Sequence, residues 1–377
     1  MTIVQETINE FSASCSRDMF ASMVTKAEKM TGKSLSLPIL ANMLIEVKNK
    51  MLILRATNLD IGIEVAIPAK TIGEGSVAIP AHIINGLLGT FGSTVKTVEI
   101  ASQNGHVVIS GGGITTTIKG APTEEFPTLP VVSEGHTFSL EAKKMILGLK
   151  SVVYASSVSD IKPELASIYI YPENETIVFV ATDSFRLAEK KIKEKNVRDW
   201  GGILIPFKNA QELIKVFDGI DDTLNIRFND HQIVIEKEGV YVTSRIINGT
   251  FPDYKQIIPK EHTTQVILLK EDLMNALKVS NVVANTFRQT MFSINPKEKK
   301  FIIETKNSDI GTSVVPVQAS LSGEEIDISV NYKYITDAFQ AISLDSLQMS
   351  FFGKGRPIII TPVGDVSFMY LVMPMNR

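Results

Sequence analysis

The sequence is short of the features that many protein classes require. Among its 377 residues there is a single cysteine, Cys15, so no disulfide can close within the chain. That suits a reducing, cytoplasmic setting, and Cys15 reads as a small buried residue more readily than as a reactive thiol. No apolar run approaches the roughly 20 residues needed to cross a bilayer. Met1 to Phe11 lack the basic-then-apolar order of a secretory signal. The five histidines (His82, His106, His136, His231 and His262) show no metal-ligand spacing. Gly111–Gly113 lacks the following helix and lysine of a phosphate-cradling loop and reads as a hairpin turn. The Gly353–Gly355 stretch reads as the turn before a strand at Pro357–Thr361. No nucleophile elbow or paired-histidine zinc motif occurs, and no carboxylate pair recurs in a way that predicts acid-base chemistry. These absences leave no candidate active site, metal or cofactor.

Charge of either sign is not in excess. Lysine and arginine number 38 against 41 acidic residues, a net of -3. A protein that coats nucleic acid by bulk charge is thereby excluded, although sorting of charge between faces is not. With 44% hydrophobic and 21% charged residues the chain is a folded one, long enough for two or three domains.

What the sequence does contain is itself, three times over. Strand pairs ending in a polar turn occur at residues 43–65, 167–190 and 291–314, with Thr57, Thr182 and Thr305 at equivalent points 125 and 123 positions apart. A strand leading into a helix recurs at 76–91, 202–217 and 327–342, marked by Pro80, Pro206 and Asn331 at spacings of 126 and 125. FPTLP at Phe126 and FPDYK at Phe251 again lie 125 apart. Three markers agree on one period, the signature of a repeated structural unit.

Each unit opens with an amphipathic helix pattern: Met19, Phe20, Met23, Val24, Ala27 and Met30 in the first, Met145, Ile146, Leu149, Val152 and Val153 in the second, Leu273, Leu277, Ser280 and Val283 in the third. Alternating strands follow, then a second helix, then hairpins punctuated by Asn-Gly, Asn-Asp and Glu-Gly. The expected fold class is α+β, about two helices and eight strands per unit, with units at 1–131, 132–259 and 260–377 and linkers near Phe126 to Gly135 and Phe251 to His262. Such an array suggests an arc, and two arcs joined head to tail close a ring.

SLPILANMLIEV, VATDSFRLAEK, NGTFPDYKQIIPK and the terminal YLVMPMNR, in this order and spacing, resemble the β subunit of bacterial DNA polymerase III, the replicative sliding clamp. The resemblance spans nearly the whole chain. It implies three copies of one domain of two helices on curved antiparallel sheets. It implies a head-to-tail homodimeric ring lined by helices, and a non-enzymatic processivity factor in the cytoplasm, on the nucleoid. A clamp must be tethered yet mobile, so it needs positive charge toward phosphates without a base-specific grip. The helix patterns offer Arg17, Lys26, Lys29, Lys143, Lys144, Lys150, Lys208, Lys215, Lys270, Lys278 and Lys333. Lysines on helices are ordinarily just solvated, but here every unit places one on the equivalent helix. By resemblance, Lys33 with Ser34, His82, Lys162, Lys208, Phe287, Arg288 and Asn331 fall at or beside positions where the family touches duplex DNA.

An apolar C-terminal tail, where polar sequence is the norm, suits an adaptable binding surface or a final docked strand at Tyr370 to Val372. The resemblance assigns a partner-peptide pocket to Leu165, Thr182, Arg186, Leu187, Pro252, Ile257, Tyr334, Leu371, Met373, Pro374 and Met375. It would take short Leu/Phe motifs of the polymerase α subunit, the clamp-loader δ subunit, other polymerases and repair proteins. Ser184 and Phe185 stand where the family has a Gly-His pair, and Gln256 and Asn376 replace basic residues. These changes motivate a second reading, an accessory clamp paralogue with altered partners. Subunit contacts are expected at Ile118, Val282 and Val283. A third reading, an enzyme or small-molecule binder on a duplicated scaffold, requires a convergent polar site that the sequence does not show.

Overall fold

The structure, a computed structural model, describes residues 10–32, 36–195, 200–284 and 286–375; Lys33, Ser34 and Asn376 lie outside the described residues. The first third of the chain runs β1 (Ser12–Ser16), α1 (Arg17–Glu28), β2 (Asn42–Lys48), β3 (Met51–Thr57), β4 (Ile61–Pro68), β5 (Lys70–Ile72), β6 (Gly75–Pro80), α2 (Ala81–Thr90), β7 (Thr97–Gln103), β8 (His106–Gly111) and β9 (Ile114–Lys119). The middle third follows with β10 (His136–Glu141), α3 (Ala142–Val152), β11 (Ser167–Glu173), β12 (Thr176–Thr182), β13 (Arg186–Lys193), β14 (Ile203–Pro206), α4 (Phe207–Phe217), β15 (Thr223–Phe228), β16 (Gln232–Lys237) and β17 (Val240–Arg245). The last third is β18 (Thr264–Leu269), α5 (Lys270–Asn281), β19 (Gln289–Asn295), β20 (Lys300–Asn307), β21 (Gly311–Pro316), β22 (Ser320–Gly323), β23 (Ile326–Asn331), α6 (Tyr332–Asp337), β24 (Ser346–Phe351), β25 (Ile358–Pro362) and β26 (Phe368–Val372). Each third therefore holds two α-helices at the same places between its strands, as the repeat predicts.

Local chemistry sets these boundaries. Asn104 and Gly105 both have positive φ, 50° and 73°, and so do Gly112 and Gly113, 58° and 81°. Two successive left-handed residues twist a two-residue turn to match its flanking strands, which is why Asn-Gly and the Gly-rich stretch make the hairpins of β7, β8 and β9. Helix α1 starts at Ser16, whose hydroxyl accepts the Met19 N–H. Its buried stripe is Phe20, Val24 and Ala27, continued by Met30. Met19, expected on that face, is 43% exposed, so the stripe is narrower than the sequence suggested. In α3, Met145, Ile146, Leu149 and Val152 are buried, and in α5 Leu273, Leu277 and Ser280 are. Cys15 is buried on β1, and burial pushes its thiol up to about 11.

Contacts gather the chain into two compact units that cut across the repeat. One comprises residues 1–143 and 212–246, the other 144–211 and 247–377. Sheet pairing is the cause. The first unit has a five-stranded sheet, β5-β1-β7-β8-β9, and an eight-stranded sheet, β10-β15-β16-β17-β4-β3-β2-β6. The second has a nine-stranded sheet, β14-β11-β12-β13-β26-β25-β24-β18-β22, and a four-stranded sheet, β21-β20-β19-β23. The middle third thus gives half its strands to each unit: β17 pairs antiparallel with β4, and β13 with β26.

One packing detail yields a test. Gly148 lies within α3, where a Cβ would stand 2.5 Å from the ring of the fully buried Phe179 on β12. Gly→Ala inside a helix normally stabilises by about 1 kcal/mol. Overpacking a rigid buried ring costs about 1–3 kcal/mol. Gly148→Ala is therefore expected to destabilise by about 1 kcal/mol, read as a lower urea midpoint; a raised midpoint would show that the ring yields freely.

Candidate functional site

The expected peptide pocket lies wholly within the second compact unit, and its construction begins at the turn joining β12 to β13. Thr182 donates its hydroxyl to the Arg186 carbonyl at 2.7 Å and accepts the Ser184 N–H at 3.2 Å. One carboxylate oxygen of Asp183 accepts the N–H groups of Phe185 and Arg186 at 2.9 and 3.0 Å. These bonds hold Ser184 at φ 79°, a left-handed conformation that a residue with a Cβ adopts at a cost of about 1–2 kcal/mol. The turn lifts the Phe185 side chain into solvent, 60% exposed. The first repeat builds the same turn: Thr57 donates to the Ile61 carbonyl and accepts the Leu59 N–H, both at 3.0 Å, with Leu59 at φ 77°.

Beneath the turn lies an apolar floor. Leu187 and Leu371 are register partners across β13 and β26. With Val178, Val180, Leu204 and Phe251 they form a buried cluster, and Met373 and Met369 pack against it half-buried. Tyr169 stacks on Phe251 at 5.0 Å between centroids. Tyr254 closes the cluster: its hydroxyl bonds Glu189 and meets the Tyr171 hydroxyl at 2.8 Å. Burial and the adjoining Glu189 push the Tyr254 hydroxyl far above its ordinary pKa, so it stays protonated.

A polar hub borders the floor. The Arg186 guanidinium donates to Asp183 at 3.0 Å and to Asp337 at 2.5 Å, and its centre sits 4.6 Å from the centroid of the Tyr334 ring. Burial works against its charge, but Tyr370, Asp337 and Asp183 outweigh that and hold it above its ordinary pKa. Lys333 pairs with the other oxygen of Asp337 at 2.9 Å. The Tyr370 hydroxyl donates to the Tyr334 carbonyl at 2.8 Å, fixing the residue whose ring the arginine covers. The tail then runs past both features. The Met373 N–H donates to the Phe185 carbonyl and the Met375 N–H to the Ser329 carbonyl, each at 2.8 Å. A small cavity of about 160 Å³ lined by Met291 and Ser329 adjoins that last bond.

Of the residues expected in the pocket, Leu187, Leu371 and Met373 meet in the floor, while Arg186 and Tyr334 meet in the hub. Thr182 shapes the turn. Leu165 is buried before β11, Pro252 and Ile257 are exposed on the segment following Phe251, and Pro374 and Met375 are half-buried. Asp183, Asp337, Tyr171, Tyr254 and Glu189 were missed. The alternation of Tyr169 and Tyr171 on one face of a strand was the available signal for the aromatic part.

The helices carry the charge that the chain as a whole lacks. Across α1 to α6 there are ten basic and six acidic side chains, a net of +4 in a chain of net -3. Arg17, Lys144 and Lys270 are engaged within the fold, by Asp18 at 3.0 Å, by Glu194 at 2.9 Å and by the Ile342 carbonyl at 2.7 Å. Lys26 is held below its usual pKa by burial and by Lys237. Lys143, Lys208 and Lys215 are solvent-facing and paired with Asp221, Asp160 and Glu212 at 2.9, 3.1 and 2.7 Å. Such exposed pairs contribute at most about 1 kcal/mol, so a phosphate can displace the carboxylate. His82 is exposed in the first turn of α2, Lys162 is exposed between α3 and β11, and Phe287 and Arg288 are exposed before β19. Asn331 caps α6 by accepting the Lys333 N–H at 3.0 Å.

Models of the DNA polymerase III beta subunit match all three thirds of the chain: the N-terminal domain over residues 11–130, the central domain over 139–253 and the C-terminal domain over 255–376. The chain belongs to this family. A beta sliding clamp of Staphylococcus aureus (strain Mu50) is 26% identical over 371 residues, 96% of this chain and 98% of that one. The beta sliding clamp of Synechococcus elongatus is 26% identical over 346 residues, 90% and 92% of the two chains. Among solved structures, the DNA polymerase III beta subunit of Thermotoga maritima aligns with a TM-score of 0.92 at 25% identity, covering 97% of this chain and all of that one. The sliding clamp of Bacillus subtilis aligns at 0.90 and 25%, covering 98% and 100%. The chain is a DNA sliding clamp of three clamp domains, a non-catalytic processivity factor of DNA polymerase III. Nothing in these relatives favours an accessory paralogue.

In this clamp the residues expected at subunit contacts sit beside sheet edges. Strand β9 ends the five-stranded sheet and carries Ile118, while β21 ends the four-stranded sheet. Val282, 77% exposed, and Val283, half-buried, follow α5, which packs on β20 and β21. Among the described residues no helix is long and apolar enough to cross a membrane.

Proposed function

We propose that two copies close head to tail into a ring around duplex DNA. In this reading β9 of one copy lies against β21 of the other, and the ring acts in the cytoplasm on the nucleoid. The Lys143, Lys162, Lys208, Lys215 and Arg288 side chains, with His82, Phe287 and Asn331, face the duplex. The floor between Leu187, Leu371 and Met373 takes short Leu/Phe peptides of the polymerase α subunit, the clamp-loader δ subunit, other polymerases and repair proteins. The observation that carries the peptide reading is the half-buried Met373 against a buried leucine and aromatic floor, since a flexible thioether repacks around a guest side chain. The net charge of +4 on the helices supports sequence-independent contact with phosphates.

Loading onto a nicked circular plasmid followed by gel filtration tests the ring. The clamp is expected to remain with the circle and to leave once the plasmid is linearised; retention on DNA with free ends contradicts encirclement. A second expectation concerns the subunit contact. Val282→Glu places a charge on an exposed side chain, so the fold tolerates it, but in an apolar interface it should weaken dimerisation at least tenfold, about 1.4 kcal/mol. Sedimentation equilibrium reads the shift, and an unchanged dimer would remove Val282 from the interface.

A further inference from the structure

The repeat that made the junction of β13 with β26 made a second one, β4 with β17, inside the first compact unit. The strand registers of the two sheets correspond around these junctions. Across the first, Ala78, Leu44, Arg55, Glu64 and Tyr241 are successive register partners. Across the second, the partners are Leu204, Tyr169, Val180, Glu189 and Met369. The first four positions of the two rows are offset by 125 or 126 residues, and the same 125 places Glu46 at Tyr171 and Leu129 at Tyr254. The linker phenylalanines Phe126 and Phe251 are both buried.

The floors differ in chemistry. In the second junction aromatic and aliphatic side chains surround Glu189, whose carboxylate accepts the Tyr254 hydroxyl. In the first, Arg55 replaces Val180 and is held by Glu46 at 2.8 Å and by Glu64. Above it stands a cavity of about 450 Å³ lined by Leu44, Phe126, Leu129 and Tyr241, with Val131 at 76% exposure. A second cavity of about 390 Å³ shares Glu64 and Tyr241 and adds Glu236, Lys237 and Glu238. Four carboxylates against two cations line the pair, beside an apolar wall.

We propose that these adjoining cavities form a second peptide site, which takes an extended partner segment bearing one apolar anchor and, a few residues along it, a lysine or arginine. The larger cavity is of a size for one or two side chains in a pocket of ordinary dimensions. Arg55 already neutralises part of Glu46 and Glu64, and Arg227 pairs with Glu236 at 2.9 Å, so an incoming cation answers Glu238 foremost. The site thus selects against acidic peptides where the groove of the second junction does not, and one chain offers two docking places of different preference.

The test uses the full-length clamp and two fluorescein-labelled nonapeptides. Both carry a Leu-Phe pair; one is flanked by two arginines, its twin by two glutamates. Calorimetry is expected to show two sites per chain for the arginine peptide and one for the glutamate peptide. Val131→Arg and Thr128→Arg, both on exposed linker positions, should each weaken the additional site at least tenfold with unchanged thermal melts, and 0.5 M salt should weaken it further. A single site for the arginine peptide, or two sites indifferent to both substitutions, overturns the proposal. Loss of the Met373–Arg377 tail removes only the other site, so a failure of the groove reading shows itself separately.

Discussion

Arg186→Ala is expected to lower the unfolding free energy by about 3 kcal/mol and to weaken peptide binding at the same time. The guanidinium side chain is only 11% exposed, and its two carboxylates, Asp183 and Asp337, are 16% and 17% exposed. Removing one partner of a buried pair typically costs about 3–5 kcal/mol, because a charge is left desolvated without its counterion. Lys333 remains bonded to Asp337 and offsets part of this, which places the expectation at the low end. Asp183 keeps its two backbone bonds, so the turn itself survives. The Tyr334 ring, however, loses the cation that covers it, and the border of the floor loosens. Urea unfolding of Arg186→Ala and Asp337→Asn, singly and together, measures the coupling. The double variant should be less destabilised than the sum of the two, by 1 kcal/mol or more. Additive losses would show that the arginine acts through packing alone.

The hub also shows what a sequence can and cannot disclose. Its members are Asp183, Arg186, Lys333, Tyr334 and Asp337, and the bond from Arg186 to Asp337 spans 151 positions. No local pattern announces such a pair. Lys333 was expected to face DNA because it sits on a helix at the repeat-equivalent place, yet its ammonium is paired with the carboxylate that also holds Arg186. Periodicity gives the helix and the face; it does not say which carboxylate the chain brings opposite. The lysines on α3 and α4 make the same point, since Lys143, Lys208 and Lys215 each meet a carboxylate in the folded chain.

The repeat itself was legible, and partly for a physical reason. Thr57 and Thr182 recur because each caps a turn in which the second residue beyond it takes a left-handed conformation. Thr305 matches the same period for a different reason: its hydroxyl meets that of Thr290 across the strand pair at 3.0 Å. Equivalent letters therefore mark equivalent chain positions without marking equivalent work. Sheet membership escaped the sequence altogether. The period divides the chain in three, but backbone hydrogen bonds join β17 to β4 and β13 to β26, so the compact units number two. Burial on both faces of β12 and β13 hides the alternation that would otherwise tell which side carries the groove.

Deleting Met373 to Arg377 should have the largest effect on partner binding, a loss of at least a hundredfold in affinity for a Leu/Phe peptide, with dimerisation unchanged. The cut falls after Val372, so β26 keeps its register with β13 and β25, and Leu371 stays in the floor. What goes is the Met373 side chain against that floor and two backbone bonds, to Phe185 and to Ser329. Each such bond is worth about 1 kcal/mol net, so the fold should lose no more than about 2 kcal/mol. A guest side chain would lose one wall of its pocket, and hot-spot anchors respond to that by several kcal/mol because they are bound where water is excluded. Val282 and β9 lie on other elements than β26, so sedimentation should report the same dimer. Anisotropy titration with the labelled peptide reads the affinity. A deletion variant that still binds the peptide within threefold of the intact chain would move the pocket elsewhere and leave Leu187 and Leu371 as ordinary core.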